Sequence, residues 1–235
     1  MTGRTNTLLL FSVLCASASL RENISADDNT PALPAGFVYL KATIPSIQTD
    51  IRYAGSHNFV GKPVDGYLKP RAILTKKAAD ALAQIQAELK PFGLGLKVFD
   101  AYRPQRAVNN FIRWAKDLDD TKTKAEFYPD VAKKDLFKED YIADRSSHTR
   151  GSTVDVTLVS LTGKKQELDM GTPFDFFSPE SWPTYPRLTP NQRANRMLLH
   201  ITMIKHGFTP YPQEWWHFTL ANEPFPETYF DFPVK

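Results

Sequence analysis

The sequence predicts an α+β fold with a central, mainly antiparallel sheet and flanking helices. Three observations lead there. Two stretches carry apolar residues at helical spacing between recognisable caps. Several β-type runs lie among them. The two kinds of element alternate without the regular spacing of βαβ units, which argues against a parallel doubly wound sheet. The chain has 235 residues, 42% of them hydrophobic, enough for one domain with a sizeable core.

Taken in order, residues 37–51 alternate loosely (Ile47, Thr49, Ile51) and read as strand. Residues 54–72 carry Gly61-Lys62-Pro63 and Asp65-Gly66 and read as a long loop, a feature often tied to function. Thr75 caps a helix over 75–90, with Ala78, Leu82, Ile85 and Leu89 on one face and Pro91 behind it. Leu94 to Tyr102 reads as strand and runs into Arg103-Pro104, where a second helix starts, with Val108, Phe111, Ile112 and Ala115 inward. Residues 117–140 are charged and irregular. In Thr153–Leu158, alternation puts Val154, Val156 and Leu158 on one face and Asp155 and Thr157 on the other. A loop over 171–190 follows. Thr189-Pro190-Asn191-Gln192 is a capping box opening a helix that buries Ala194, Met197, Leu198 and Ile201 and ends at Gly207. Trp215 to Leu220 reads as strand, and the aromatic tail from Glu223 is expected to pack across the body.

Composition excludes some partners. Twenty-nine basic against 26 acidic residues leave a net charge of +3, too little for nucleic-acid or anionic-membrane binding. There is no glycine-rich phosphate loop and no GxSxG elbow. Residues 1–18 read as a cleaved export signal: Arg4, an apolar run Leu8–Leu14, then Ala16-Ser17-Ala18. The run is too short to span a bilayer. Residues 19–35 read as a flexible leader, leaving one catalytic domain over 36–235. The single cysteine, Cys15, falls inside the signal, and Leu14 before it does not fit a lipidation site. The mature chain then has no thiol, so any metal must rest on histidine and carboxylate.

An aspartate inside an apolar strand is costly without a partner. His148, seven residues before Asp155, and His217 complete a two-imidazole, one-carboxylate set that suits a catalytic zinc with its fourth position open to water. Any one of these histidines alone is more often an ordinary hydrogen-bonded residue; the combination points to metal. Glu214 precedes His217 by three, so an extended segment would send them to opposite sides and a bend is needed to bring both to one ion. A carboxylate so placed can take the proton of water and hand it to a leaving amine. Arg103, at a strand–helix junction, suits an oxyanion. His57, His200 and His206 are left outside the site.

Asp100-Ala101-Tyr102-Arg103-Pro104, Ser146-Ser147-His148-Thr149-Arg150-Gly151 with Asp155, Glu214-Trp215-Trp216-His217, Gly61–Tyr67 and the ending Tyr229–Lys235 together resemble the zinc D-alanyl-D-alanine dipeptidases of the vancomycin-resistance type. The resemblance spans about residue 37 to the C-terminus. It implies the hedgehog/D,D-peptidase fold, one zinc ion per chain on His148, Asp155 and His217, Glu214 as base and acid, and Arg103 at the transition state. It further implies that Tyr53, Ser146 and Asp175 surround a bound D-Ala-D-Ala. No nucleic acid and no stable membrane insertion are expected; oligomeric state is not readable. The best-known members of that family lack an export signal, so residues 1–18 point to a periplasmic enzyme that scavenges or recycles the dipeptide rather than a cytoplasmic one. A D,D-carboxypeptidase of murein peptides and a non-catalytic zinc-stabilised module are the alternatives.

Overall fold

The computed structural model describes residues 1, 3, 32–163 and 166–235. All but residues 1 and 3 of the export signal read from the sequence, and most of the leader, lie outside them. Contacts divide the chain into Met1–Ala32 and Leu33–Lys235. Among the described residues every helix and strand belongs to the second unit, and no helix is long and apolar enough to cross a membrane.

The run expected as one strand over 37–51 is three elements: β1 (Phe37–Tyr39), a helical turn α1 (Leu40–Thr43) and β2 (Gln48–Thr49). Leu40, Ile44, Ile47 and Ile51 are all buried. Their three–four spacing is that of turns and helices, and Pro45 has no N–H to give a ladder. After the long loop comes β3 (Ile73–Thr75), which pairs with β1 in a separate two-stranded sheet. Helix α2 (Lys76–Leu89) is capped by Thr75 Oγ1, which accepts from Ala78 N at 3.4 Å, and buries the expected face. Strand β4 (Leu94–Asp100) and helix α3 (Gln105–Lys116) follow, with Val108, Phe111 and Ala115 inward as expected. The charged stretch holds a short helix α4 (Lys124–Phe127). Then come β5 (Thr153–Ser160), α5 (Pro190–Lys205), β6 (Phe208–Pro210) and β7 (His217–Leu220).

Five strands form a mixed sheet in the order β2–β4–β5–β7–β6. The β2–β4 pair is parallel and the other three pairs are antiparallel. Strand β5 is central, and its residues Thr153–Val159 are buried on both faces. Its polar face is therefore enclosed as fully as its apolar one. On one side α2 packs against β4, with Gln86 Oε1 accepting from Leu96 N at 2.8 Å. Elsewhere Tyr53, Phe59, Phe111 and Trp114 interlock with ring centroids 4.8–5.0 Å apart.

Helix α5 has its capping box but is rotated from the expected orientation. Met197, Leu198, Ile201 and Ile204 are exposed, at 55%, 39%, 56% and 46%, and Ala194 with them; Arg196, Leu199, Thr202 and Met203 are buried. The cause is polar. Arg196 donates to the carbonyls of Met170, Trp182 and Glu180 at 2.6, 2.7 and 2.9 Å. A buried guanidinium without these acceptors is prohibitive, so the bonds fix the rotation and Leu199 and Met203, three and seven residues on, follow it inward. Hydrophobic periodicity cannot register such an anchor.

Candidate metal centre and active site

The sheet register builds the site. Asp155 on β5 lies opposite His217 on β7 and, across a bulge between Val98 and Asp100, opposite Asp100 on β4. One row across three strands thus carries three functional groups. His148 comes from a 3₁₀ turn, Ser147–Arg150, whose cap Ser146 Oγ accepts from His148 N at 3.3 Å. The turn is closed by Gly151 at φ +83°, where an added Cβ would collide with the Phe37 ring.

Three donor atoms converge. His148 Nε2 lies 3.3 Å from His217 Nδ1 and 3.3 Å from Asp155 Oδ1, and His217 Nδ1 lies 3.2 Å from the same oxygen. Four ligands arranged tetrahedrally at about 2.0–2.1 Å from an ion stand about 3.3 Å from one another. The outer ring nitrogens are engaged: His148 Nδ1–H donates to Ala101 O at 2.7 Å, and His217 Nε2 meets Ser147 Oγ at 3.2 Å. The inner nitrogens, His148 Nε2 and His217 Nδ1, therefore both face the Asp155 oxygen, the arrangement expected around a ligated ion. Asp155 Oδ1 is buried and accepts no hydrogen bond. These three residues are the one group of histidines and acids among the described residues positioned to hold a metal, and they fit it.

Glu214 joins them through the expected bend. Residues 214–216 turn instead of extending, so the strand begins only at His217, and Glu214 Oε2 lies 3.3 Å from His217 Nδ1. Burial opposes the charge of His217, but the carboxylates of Asp155 and Glu214 outweigh it and lift its pKa to about 9 in the metal-free chain. Burial likewise opposes ionisation of Asp155, and His148 and His217 reverse this and hold it well below the usual carboxylate range.

Arg103 sits directly after the bulge strand. Its Nε and Nη2 both reach Asp100 Oδ2 at 2.9 Å, Nη2 lies 3.7 Å from Asp155 Oδ2, and Nη1 is 3.4 Å from Ser146 Oγ. Its guanidinium lies 5.1 Å from the centre of the Tyr53 ring. Burial opposes its charge, yet Tyr53 and Asp100 push its pKa up further, so it stays cationic. Asp175 is buried at φ +62° and accepts from Tyr53 Oη at 2.9 and 3.2 Å. Burial, then the charges of Asp155 and Glu214, push its pKa well up, against Arg103 and the Tyr53 bond. All eight residues singled out from the sequence are brought to one place. Seven line or border a cavity of about 550 Å³, with Trp216 in its wall, and His148 lies behind it on the metal triangle.

Sequence reasoning assigned no role to Asp100, Tyr67, Ser147 or Arg196. Asp100 is fully buried and takes a 2.6 Å bond from Tyr67 Oη as well as Arg103. The signal that exposed Asp155, an acid in an apolar strand run, was present in Val98-Phe99-Asp100 too, at the end of the run. Trp215 anchors the loop of Asp175, its Nε1 donating to Thr172 Oγ1 at 2.9 Å. His57 lies away from the centre, paired with Glu126 at 2.7 Å, and His206 pairs with Glu88 at 2.7 Å.

Two imidazoles and a carboxylate on one ion position, with a second carboxylate and a buried arginine beside it, define a metallohydrolase. The comparisons with known proteins narrow the class. Residues 34–235 match the family model described as D-ala-D-ala dipeptidase, peptidase M15. A D-alanyl-D-alanine dipeptidase of Streptomyces coelicolor is 42% identical over 198 residues, 84% of this chain and 98% of the relative. One from Enterococcus faecalis is 42% identical over 201 residues, covering 85% and 98%. One from Escherichia coli is 33% identical over 188 residues, covering 79% and 84%. The chain belongs to the M15 D-Ala-D-Ala dipeptidase family, and is a metallopeptidase.

The raised pKa of His217 has a measurable sign. Below about pH 9 its imidazole is protonated in the metal-free protein, so an incoming cation must displace that proton. Calorimetric titration of metal-free protein with zinc at pH 7.5, in two buffers of different ionisation enthalpy, is expected to show at least one proton released per ion, from His217 and in part from the bound water, and an affinity that falls as pH falls. Uptake without proton release would contradict a His217 held protonated by Asp155 and Glu214 in the metal-free protein.

Proposed function

We propose that the chain is a zinc dipeptidase that cleaves free D-Ala-D-Ala into two D-alanines. It holds one zinc ion on His148, Asp155 and His217 within a single catalytic domain over 36–235 of the hedgehog/D,D-peptidase type. The observation that carries the reading is Asp155 Oδ1, buried, unbonded and within 3.3 Å of two imidazole nitrogens. Zinc bound there supplies a Lewis acid for the carbonyl oxygen and lowers the pKa of its water to about 7.

The side chains of the protein do the rest. Glu214 takes a proton from the attacking water as the new C–O bond forms. It returns that proton to the peptide nitrogen as the C–N bond breaks. The second proton of the water also passes to that nitrogen, so one D-alanine leaves as the carboxylate and the other as the ammonium. Arg103, fixed by Asp100, holds a permanent positive charge where the carbonyl oxygen becomes an oxyanion. Asp175 takes the free ammonium of the substrate, with Tyr53 orienting its carboxylate, and Ser146 borders the same space beside Arg103. An ammonium in this pocket neutralises a buried carboxylate, whereas an acylated amine leaves it unpaired. This favours a dipeptide over the murein peptides of a carboxypeptidase. Residues 1–18 support export, and hence a periplasmic role in scavenging or recycling the dipeptide.

Glu214→Gln is expected to retain one zinc per chain and lose roughly 10²–10⁴-fold in kcat on D-Ala-D-Ala; turnover near wild type would remove Glu214 from its role. Asp175→Asn separates binding from stability. The raised pKa of Asp175 means that its contribution to folding is present only at acidic pH and is lost as pH rises. Asparagine fits the left-handed backbone at φ +62° and carries no such liability. In the metal-free protein the variant is expected to melt higher than wild type at pH 7.5 and to lose that advantage near pH 4; loaded with zinc to the wild-type content, it is expected to hydrolyse D-Ala-D-Ala with a KM raised roughly tenfold or more. Unchanged KM would show that Asp175 does not receive the amine.

A further inference from the structure

We propose that Asp231 is a positioning residue for Arg103, and that the C-terminal strap around it ties the arginine-bearing and histidine-bearing segments together. The inference rests on the catalytic role given to Arg103 above. Helix α3 starts two residues after Arg103, and its cap residue is Pro104, which has no side-chain oxygen to offer. The tail supplies what is missing. Phe230 O accepts from Gln105 N at 3.1 Å, and Asp231 Oδ1 accepts from Arg106 N at 2.8 Å. The first two N–H groups of the helix are thus satisfied from 125 residues away. A carboxylate at a helix N-terminus also complements its dipole.

The Arg106 side chain closes back on the tail, with Nε to Asp231 Oδ1 at 2.9 Å, and Nη2 to Oδ2 at 3.1 Å and to Asp231 O at 2.7 Å. Tyr102, just before Arg103, donates to Phe232 O at 3.0 Å and stacks on the Phe232 ring at 4.0 Å. On the other side Phe230 N donates to Thr149 O at 3.0 Å, next to His148, and Arg103 N reaches His148 O at 3.3 Å. Val234 continues the strap to the loop of Tyr67, its N–H donating to Gly66 O at 2.8 Å. Gly66 lies so close to Arg106 and Pro104 that an added Cβ would meet their side chains at 2.9–3.1 Å. Residues on both flanks of Arg103, and the residue after His148, are therefore held by one short segment. Asp231 and Arg106 are each about half exposed, so the ion pair alone is weak. The backbone cap gives the contact its direction.

Three variants test this in the zinc-loaded enzyme: Asp231→Ala, Asp231→Asn and Arg103→Lys, with the double variant. Asp231→Ala is expected to lower kcat on D-Ala-D-Ala roughly five- to tenfold, because a displaced Arg103 holds the oxyanion less well, with KM and zinc content unchanged. Asp231→Asn keeps an accepting Oδ1 and is expected to stay within about twofold. In the Arg103→Lys background the Asp231→Ala loss is expected to shrink below twofold, because the two residues act as one unit. Wild-type kcat in Asp231→Ala, or the same loss in both backgrounds, would overturn the proposal. Hydrogen exchange gives a readout without turnover. Asp231→Ala is expected to speed exchange at 102–107 and 148–150 and to leave α2 unchanged; acceleration spread evenly over the chain, or none at those segments, would overturn it. A wild-type enzyme inactive on D-Ala-D-Ala would sink the dipeptidase reading, while the exchange result would still decide the strap.

Discussion

A buried carboxylate in the middle of a sheet, with two imidazole nitrogens within 3.3 Å of one of its oxygens, is an arrangement that a protein interior tolerates only when positive charge is supplied to it. Without an ion, that charge comes from the proton on His217, whose pKa, against the pull of burial, Asp155 and Glu214 lift to about 9, and an incoming cation takes the place of that proton. A divalent cation satisfies all three donor atoms at once. The rest of the structure holds that triangle in place. Strand register sets Asp155 against His217, the carbonyl of Ala101 fixes the His148 tautomer, and Gly151 turns the chain from the histidine into the strand.

Around the triangle the charges are arranged with the same economy. Asp100, Asp155, Asp175 and Glu214 face one arginine. Asp100 is spent on orienting Arg103 and is itself steadied by Tyr67. Asp155 belongs to the ion position. Asp175 is kept poorly ionised by burial and by its acidic neighbours until a cation arrives. Glu214 alone combines partial exposure, 20% of its side chain, with a place beside the ion position, as proton shuttling requires. In the proposed mechanism four residues of one chemical type have four different tasks because their surroundings differ.

Much of this was legible in the sequence where local chemistry governs. Thr75 and the Thr189–Gln192 box marked helix starts, and an acid in an apolar strand marked the centre. The bend needed between Glu214 and His217 followed from strand alternation. What could not be read depends on distant partners. The rotation of α5 is set by carbonyls of a loop, invisible to a hydrophobic pattern. The split of residues 37–51 was in principle visible, in the three–four spacing of Leu40, Ile44, Ile47 and Ile51, but the looser period of two masked it. The start of α3 looked like an ordinary proline-led helix, although its first N–H groups are satisfied by the tail.

The central claim is that His148, Asp155 and His217 bind one catalytic zinc ion. X-ray absorption at the zinc edge of the purified, loaded protein tests it most directly. The expected spectrum has two imidazole nitrogens and the remaining light ligands at about 2.0–2.1 Å in four-coordinate geometry, with the imidazole scattering halved in His148→Ala. A zinc site without imidazole scattering, or one unaltered by that substitution, would contradict the account.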